Sequence, residues 1–162
     1  AVDVAAAVNE GELLLGKGDG HFRALSATDS GIAIDGEMRG AAAGDFNQDG
    51  RLDLVVSQNN GPTRLLLNQQ SRPLMRVRLL GSATNPRAIG AQVRWGTSNG
   101  AGPVWEIQAG SGFGSQNSST LLLPIPKTSG SILIRWPNGK HTTHAVSSES
   151  LHVEVSEPIG GR

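Results

Sequence analysis

The fold class that the sequence predicts is all-β, and three observations predict it. Glycine supplies 22 of the 162 residues and proline another 8, so the chain is punctuated at the short intervals that many tight turns require. Core-type side chains recur at every second position in several segments: Met75, Val77 and Leu79; Val93 and Trp95; Ile132, Ile134 and Trp136; Val153 and Val155. Period two marks half-buried strands, whose successive side chains point to opposite faces. The third observation is a strand–turn–strand pattern that occurs twice near the N-terminus.

That repeat runs from Val2-Asp3-Val4-Ala5-Ala6-Ala7-Val8, across a short gap, to Gly11-Glu12-Leu13-Leu14-Leu15. It reads like Leu52-Asp53-Leu54-Val55-Val56-Ser57 followed by Thr63-Arg64-Leu65-Leu66-Leu67. A spacing of about 50 residues suits propeller-type or other repeated β units, and the first copy reads as truncated. Gln69-Gln70-Ser71-Arg72-Pro73 is polar, ends in proline and breaks the repeat, which places a boundary there. The expected organisation is therefore a partial β-propeller-type repeat over residues 1–70 and a C-terminal antiparallel β-sandwich or barrel-like domain over residues 74–157. In the second unit, turn clusters at Gly81–Pro86, Thr97–Pro103, Gly110–Ser119 and Pro137–Gly139 separate the strands.

One loop carries chemistry. Residues 45 to 53 read Asp45-Phe46-Asn47-Gln48-Asp49-Gly50-Arg51-Leu52-Asp53. Side-chain oxygens at the first, third, fifth and ninth positions, glycine at the sixth for the sharp turn and the Arg51 carbonyl at the seventh are what a hard cation needs. Carboxylates so crowded would repel one another without a positive partner. The expected ligands are Asp45, Asn47, Asp49, Asp53 and the backbone of Arg51, and the expected cofactor is Ca2+; a metal-free hairpin of Asx-turns is the plainer alternative. An EF-hand does not fit, because Val56 stands where its bidentate Glu belongs and no helical pattern flanks the loop. Magnesium suits compact octahedral sites that keep several waters, which this spacing does not favour.

Gly44-Asp45-Phe46-Asn47-Gln48-Asp49-Gly50 followed by Leu52-Asp53-Leu54-Val55-Val56 resembles the FG-GAP or VCBS repeat, a calcium-binding blade unit of integrin-type β-propellers. The resemblance implies the same side-chain ligands, Asp45, Asn47, Asp49 and Asp53. In the earlier copy only Asp3 corresponds, to Asp53, so that copy is not expected to hold calcium by itself. Gly18-Asp19-Gly20-His21-Phe22 is similar to the turn that ends such units, with Asp19 as a turn former. Asn85-Pro86-Arg87-Ala88-Ile89-Gly90-Ala91, then Gly110-Ser111-Gly112-Phe113-Gly114-Ser115-Gln116, then Arg135-Trp136-Pro137-Asn138-Gly139-Lys140 resemble the ASPIC/UnbV domain in order. The family's Tyr-Leu is Phe113-Gly114 here, and Leu122-Leu123-Pro124-Ile125-Pro126 stands where its Phe-Gly-Leu-Gly turn belongs. In that family the domain follows FG-GAP repeats in secreted proteins, which implies an extracellular location.

Other features have plainer readings. Gly110, Gly112 and Gly114 fit neither a dinucleotide fingerprint nor a P-loop and read as a loop with positive φ angles. Ser111 and Ser115 lack a nucleophile elbow, so no hydrolase triad is expected. His141 and His144, three apart on a strand, point to opposite faces and do not share a metal. Trp95, Trp105 and Trp136 are expected to be buried in a core short of aromatics rather than stacked on sugars. Asn117-Ser118-Ser119 is a glycosylation sequon.

Fourteen basic and fourteen acidic residues give zero formal charge, which disfavours nucleic acid as a partner, and no apolar run approaches the roughly 20 residues of a membrane span. The absence of cysteine excludes disulfides and thiolate chemistry. Taken with the loop, the family resemblance implies a secreted, calcium-stabilised, non-catalytic adhesion, matrix or structural protein whose partner is another protein or an extracellular matrix or glycan surface. An alternative is a self-assembling extracellular filament subunit joined by β-strand pairing, because one or two blades cannot close a ring and protect their edges. A carbohydrate-binding module is the third reading.

Overall fold

The computed structural model describes residues 4–7, 12–96 and 103–158. The first unit begins with β1 (Val4–Ala7), β2 (Glu12–Gly16) and β3 (Phe22–Leu25), an antiparallel sheet in that order. Val4 lies opposite Leu15 and Leu13 opposite Leu25. Between β2 and β3, Gly18 and Gly20 adopt positive φ, and the Asp19 carboxylate accepts the His21 N–H at 2.9 Å, the turn-forming role expected of it. A single helical turn, α1 (Ala27–Ser30), follows. Ser26 caps it by accepting the Asp29 N–H, and Gly31 ends it in the left-handed conformation.

The second sheet consists of β4 (Met38–Gly44), β5 (Asp53–Gln58) and β6 (Gly61–Leu66), also antiparallel and in chain order. The two hairpins β1–β2 and β5–β6 are the two copies of the repeat read in the sequence. The sheets around them differ, because the first hairpin is extended by the strand after it and the second by the strand before it. Val2, Asp3, Val8 and Gly11, which belong to the first copy, lie outside the described residues.

Among the described residues the C-terminal unit has seven strands: β7 (Met75–Leu80), β8 (Gln92–Trp95), β9 (Val104–Glu106), β10 (Leu121–Leu123), β11 (Gly130–Arg135), β12 (His141–Val146) and β13 (His152–Ser156). They form two open sheets, β10-β7-β13 and β12-β11-β8-β9. The core lies where their apolar faces meet. Met75, Val77, Leu79, Leu123, Val153 and Val155 come from the first sheet and Val93, Ile132, Ile134 and Val146 from the second, all buried with Ile107 and Trp136. The period-two segments of the sequence are these inward faces. Each such side chain contributes about 1.5–3 kcal/mol by leaving water.

Several expectations are corrected. The barrel-like alternative is not realised, since none of the sheets closes. Pairing is not wholly antiparallel: β13 runs parallel to β7, with Val153 opposite Val77 and Val155 opposite Leu79. The chain reaches β13 from β12, which belongs to the facing sheet, and such a crossover brings a strand back in either direction. Leu122 and Leu123, which stand where the family's Phe-Gly-Leu-Gly turn belongs, lie in β10, where Leu123 is fully buried. Part of the turn cluster Thr97–Pro103 falls outside the described residues. Trp136 is buried, and Trp95 and Trp105 pack against the core; His141 and His144 alternate faces on β12 as expected.

The two units are unequal in core. Among the described residues, only Ile34 and Val56 of the first 70 are buried apolar side chains, whereas Phe22, Phe46, Leu52, Leu65 and Leu67 are exposed. A three-stranded sheet needs a buried apolar face to stand alone, and with so few buried apolar side chains its remaining support matters. Part of it comes from the C-terminal unit. Ala43 on β4 donates its N–H to the Asn117 carboxamide oxygen at 2.8 Å, and its carbonyl accepts the Ser118 N–H at 2.9 Å. The outer edge of β4 is thereby paired with the segment that follows the Phe113 turn.

Candidate functional site

The nine-residue loop joins β4 to β5, springing from the Gly44–Asp53 pair at the sheet's end. Its turn is sharp because Gln48 and Gly50 both adopt left-handed φ, +64° and +79°. Gly50 meets two requirements. A Cβ there would stand 2.9 Å from the Leu74 carbonyl oxygen as well as occupy an unfavourable φ. Gly50→Ala is expected to cost about 1–3 kcal/mol, read as a lowered midpoint in urea unfolding.

Inside the loop the carboxylates are held by N–H groups. Asp45 accepts the Asp49 N–H at Oδ1 and the Gly50 N–H at Oδ2, each at 3.0 Å. The Asn47 carboxamide oxygen shares the Asp49 N–H at 3.2 Å. Asp49 accepts the Arg51 N–H at Oδ1, and at Oδ2 the Asn47 amide and the Arg51 guanidinium. Desolvation, the largest single effect, pushes the Asp49 carboxyl up, but the Asn47 amide, the Arg51 N–H and the Arg51 guanidinium together outweigh it and hold the group below its usual value.

Asp53 is held by two backbone donors. It is 1% exposed and bridges two segments, accepting the Phe46 N–H at Oδ2 and the Asn68 N–H at Oδ1, both at 2.9 Å. Asn68 in turn donates to the Leu52 carbonyl. Asp53 therefore clamps the start of the loop to the chain that leaves β6.

Residues outside the loop complete it. The side chain of Asp45 is 2% exposed, and the Arg76 guanidinium of β7 lies against it, with Nε 2.9 Å from Oδ2. That Nε is buried and off line for a hydrogen bond, so the attraction is between charges. Arg76 Nη1 reaches the Gln48 side-chain oxygen at 3.4 Å. The Leu74 N–H donates to the Gly50 carbonyl at 2.7 Å, and Arg51 Nε donates to the Ser71 carbonyl at 2.8 Å. The loop is thus the joint between the repeat and the C-terminal unit.

The structure brings Asp45, Asn47, Asp49 and Arg51 together around one turn, and Asp53 is tied to the start of that turn through the Phe46 N–H. It does not gather three acidic or histidine side chains about one point among the described residues. In donor chemistry the set fits a hard cation. Each carboxylate oxygen that accepts one N–H retains a further lone pair, and the carboxamide oxygen of Asn47 is of the same hard type. Sequence reading missed Arg76 and Asn68. Arg76 sits at an outward position of a period-two strand, where a charged residue ordinarily means solvent, and Asn68 acts through its backbone N–H, which has no side-chain signature.

Comparison with known proteins matches each unit. Residues 1–56 match the family model of the FG-GAP-like repeat, and residues 81–158 match that of ASPIC and UnbV. Cartilage acidic protein 1 of Xenopus tropicalis is 36% identical over 66 residues, which cover 41% of this chain and 10% of that protein. The chain carries an FG-GAP-like repeat followed by an ASPIC and UnbV domain.

Proposed function

We propose that the chain is part of an extracellular, non-catalytic protein of adhesion or matrix type, in which loop 45–53 takes a calcium ion as a structural staple. The observation that carries this reading is the position of the loop. Its residues touch Ser71, Leu74 and Arg76, so whatever orders the loop also orders the joint between the two units. Asp45, Asn47, Asp49 and Asp53 would supply side-chain oxygens and Arg51 its carbonyl. Calcium would supply charge neutralisation and no chemistry. The extracellular assignment draws on the relative named for cartilage, and among the described residues no helix is long and apolar enough to cross a membrane.

The test is thermal unfolding with calcium and with chelator. An ion that binds only the folded state stabilises it by about 2.7 kcal/mol at a hundredfold excess over its Kd. For a chain of this size that raises the melting temperature by roughly 5–11 °C. Identical melts in the two buffers would remove the calcium role.

Self-association by strand pairing is the second reading, and one observation favours it. Among the described residues β6 pairs only with β5 and no strand lies along its other edge, and Leu65 and Leu67 beside it are exposed. Concentration-dependent sedimentation would reveal it.

A further inference from the structure

We propose that Arg76 is a built-in counter-cation of the loop: it keeps the turn closed without metal and opposes a divalent ion at Asp45. This inference rests on the calcium reading above, and its test separates the two.

The side chain of Asp45, like that of Asp53, is almost completely removed from solvent. A carboxylate so placed requires a positive partner, because a buried unpaired charge is strongly unfavourable. Arg51 does not provide it, since its guanidinium is paired with Asp49. Arg76 does, and it is rigidly delivered. Its neighbours Met75 and Val77 are fully buried in the C-terminal core. Its strand is the middle one of three, with Arg76 opposite Leu122 on one side and His152 on the other, and its N–H donates to the Leu151 carbonyl. The backbone that presents the guanidinium to Asp45 is therefore fixed by the fold of the other unit.

A guanidinium touching a prospective ligand affects a metal in one direction. It lowers the negative potential at Asp45 and repels a dication that shares the carboxylate. The loop then has two cations competing for one acid, the fixed Arg76 and the exchangeable metal. Calcium affinity is held at the weak end, of order 0.1–1 mM, which suits a compartment where calcium is abundant. By linkage, calcium binding loosens the grip of Asp45 on the C-terminal unit by the same factor that Arg76 weakens calcium binding.

The experiment uses the whole chain as wild type, R76Q, R76K, D45N and the R76Q/D45N double variant. Calcium affinity is measured by titration calorimetry and stability in chelator by thermal unfolding. R76Q is expected to bind calcium about tenfold more tightly than wild type, and R76K, which keeps the charge, within about threefold of it. R76Q is also expected to melt lower than wild type in chelator and to recover in calcium. Unchanged or weaker calcium binding by R76Q overturns the antagonism. Absence of calcium binding in every variant overturns the calcium reading and the antagonism with it. The lock is read independently in chelator: non-additive effects of R76Q and D45N support it, and additive effects overturn it. If R76Q fails to fold, R76M, which also removes the charge and keeps an apolar stem of similar length, carries the same comparison.

Discussion

Asp53→Ala is expected to lower the melting temperature of the chain by roughly 5–15 °C even when no calcium is present. The reason lies in what its carboxylate satisfies. Asp53 is buried and accepts two backbone N–H groups, from Phe46 at the start of the loop and Asn68 beyond β6. Truncation leaves both donors without an acceptor in a place where water enters poorly, at about 1–2 kcal/mol for each. Asp53→Asn retains one acceptor and turns an NH2 toward the other donor, so it should fall between wild type and the alanine variant. Unfolding followed by circular dichroism in chelator checks the order. A loss of under about 1 kcal/mol for the alanine variant would mean that the clamp is replaceable by water.

Trp136→Ala is expected to be at least as damaging, at about 3–5 kcal/mol or a fall of roughly 6–20 °C. Trp136 is fully buried where β11 turns toward β12, and its indole N–H donates to the Thr142 hydroxyl at 2.8 Å. Its backbone holds the turn as well, donating to the Lys140 carbonyl and accepting the Gly139 N–H. Removal leaves a cavity between the two sheets and an unpartnered Thr142 hydroxyl. Trp136→Phe fills most of that space and loses only the hydrogen bond, so it should retain most of the stability. Equal losses for the two variants would show that the hydrogen bond outweighs the packing.

These two positions also show how much of the molecule is legible in its sequence. Trp136 is legible because it continues the two-residue rhythm of Ile132 and Ile134 and precedes Pro137-Asn138-Gly139, a turn that can be read locally. The loop is legible for the same kind of reason: Asp45, Asn47, Asp49 and Gly50 act within five residues of one another, and spacing encodes their geometry. Asp53 is legible as an acid at the loop's end, but its burial and its grip on Asn68 depend on where β6 returns.

What escaped the sequence depends on long-range placement. Arg76 was indistinguishable from Arg78, its neighbour on the same strand, yet Arg76 faces Asp45 and Arg78 pairs with Glu154 near the surface. Only the docking of the two units separates their roles. The parallel pairing of β13 with β7 is equally silent, because the alternation of Val153 and Val155 fits either direction. The strand-like contact of Asn117 and Ser118 with Ala43 joins residues more than 70 positions apart through a segment of ordinary turn composition.

Titration of the folded chain with calcium, followed by calorimetry, addresses the loop most directly. One ion should bind with a Kd of order 0.1–1 mM, and the heat should vanish when Asp49→Asn and Asp53→Asn are combined. A wild-type chain that gives no heat at concentrations well above that range, while remaining folded, would mean that loop 45–53 is held by its N–H groups and Arg76 alone.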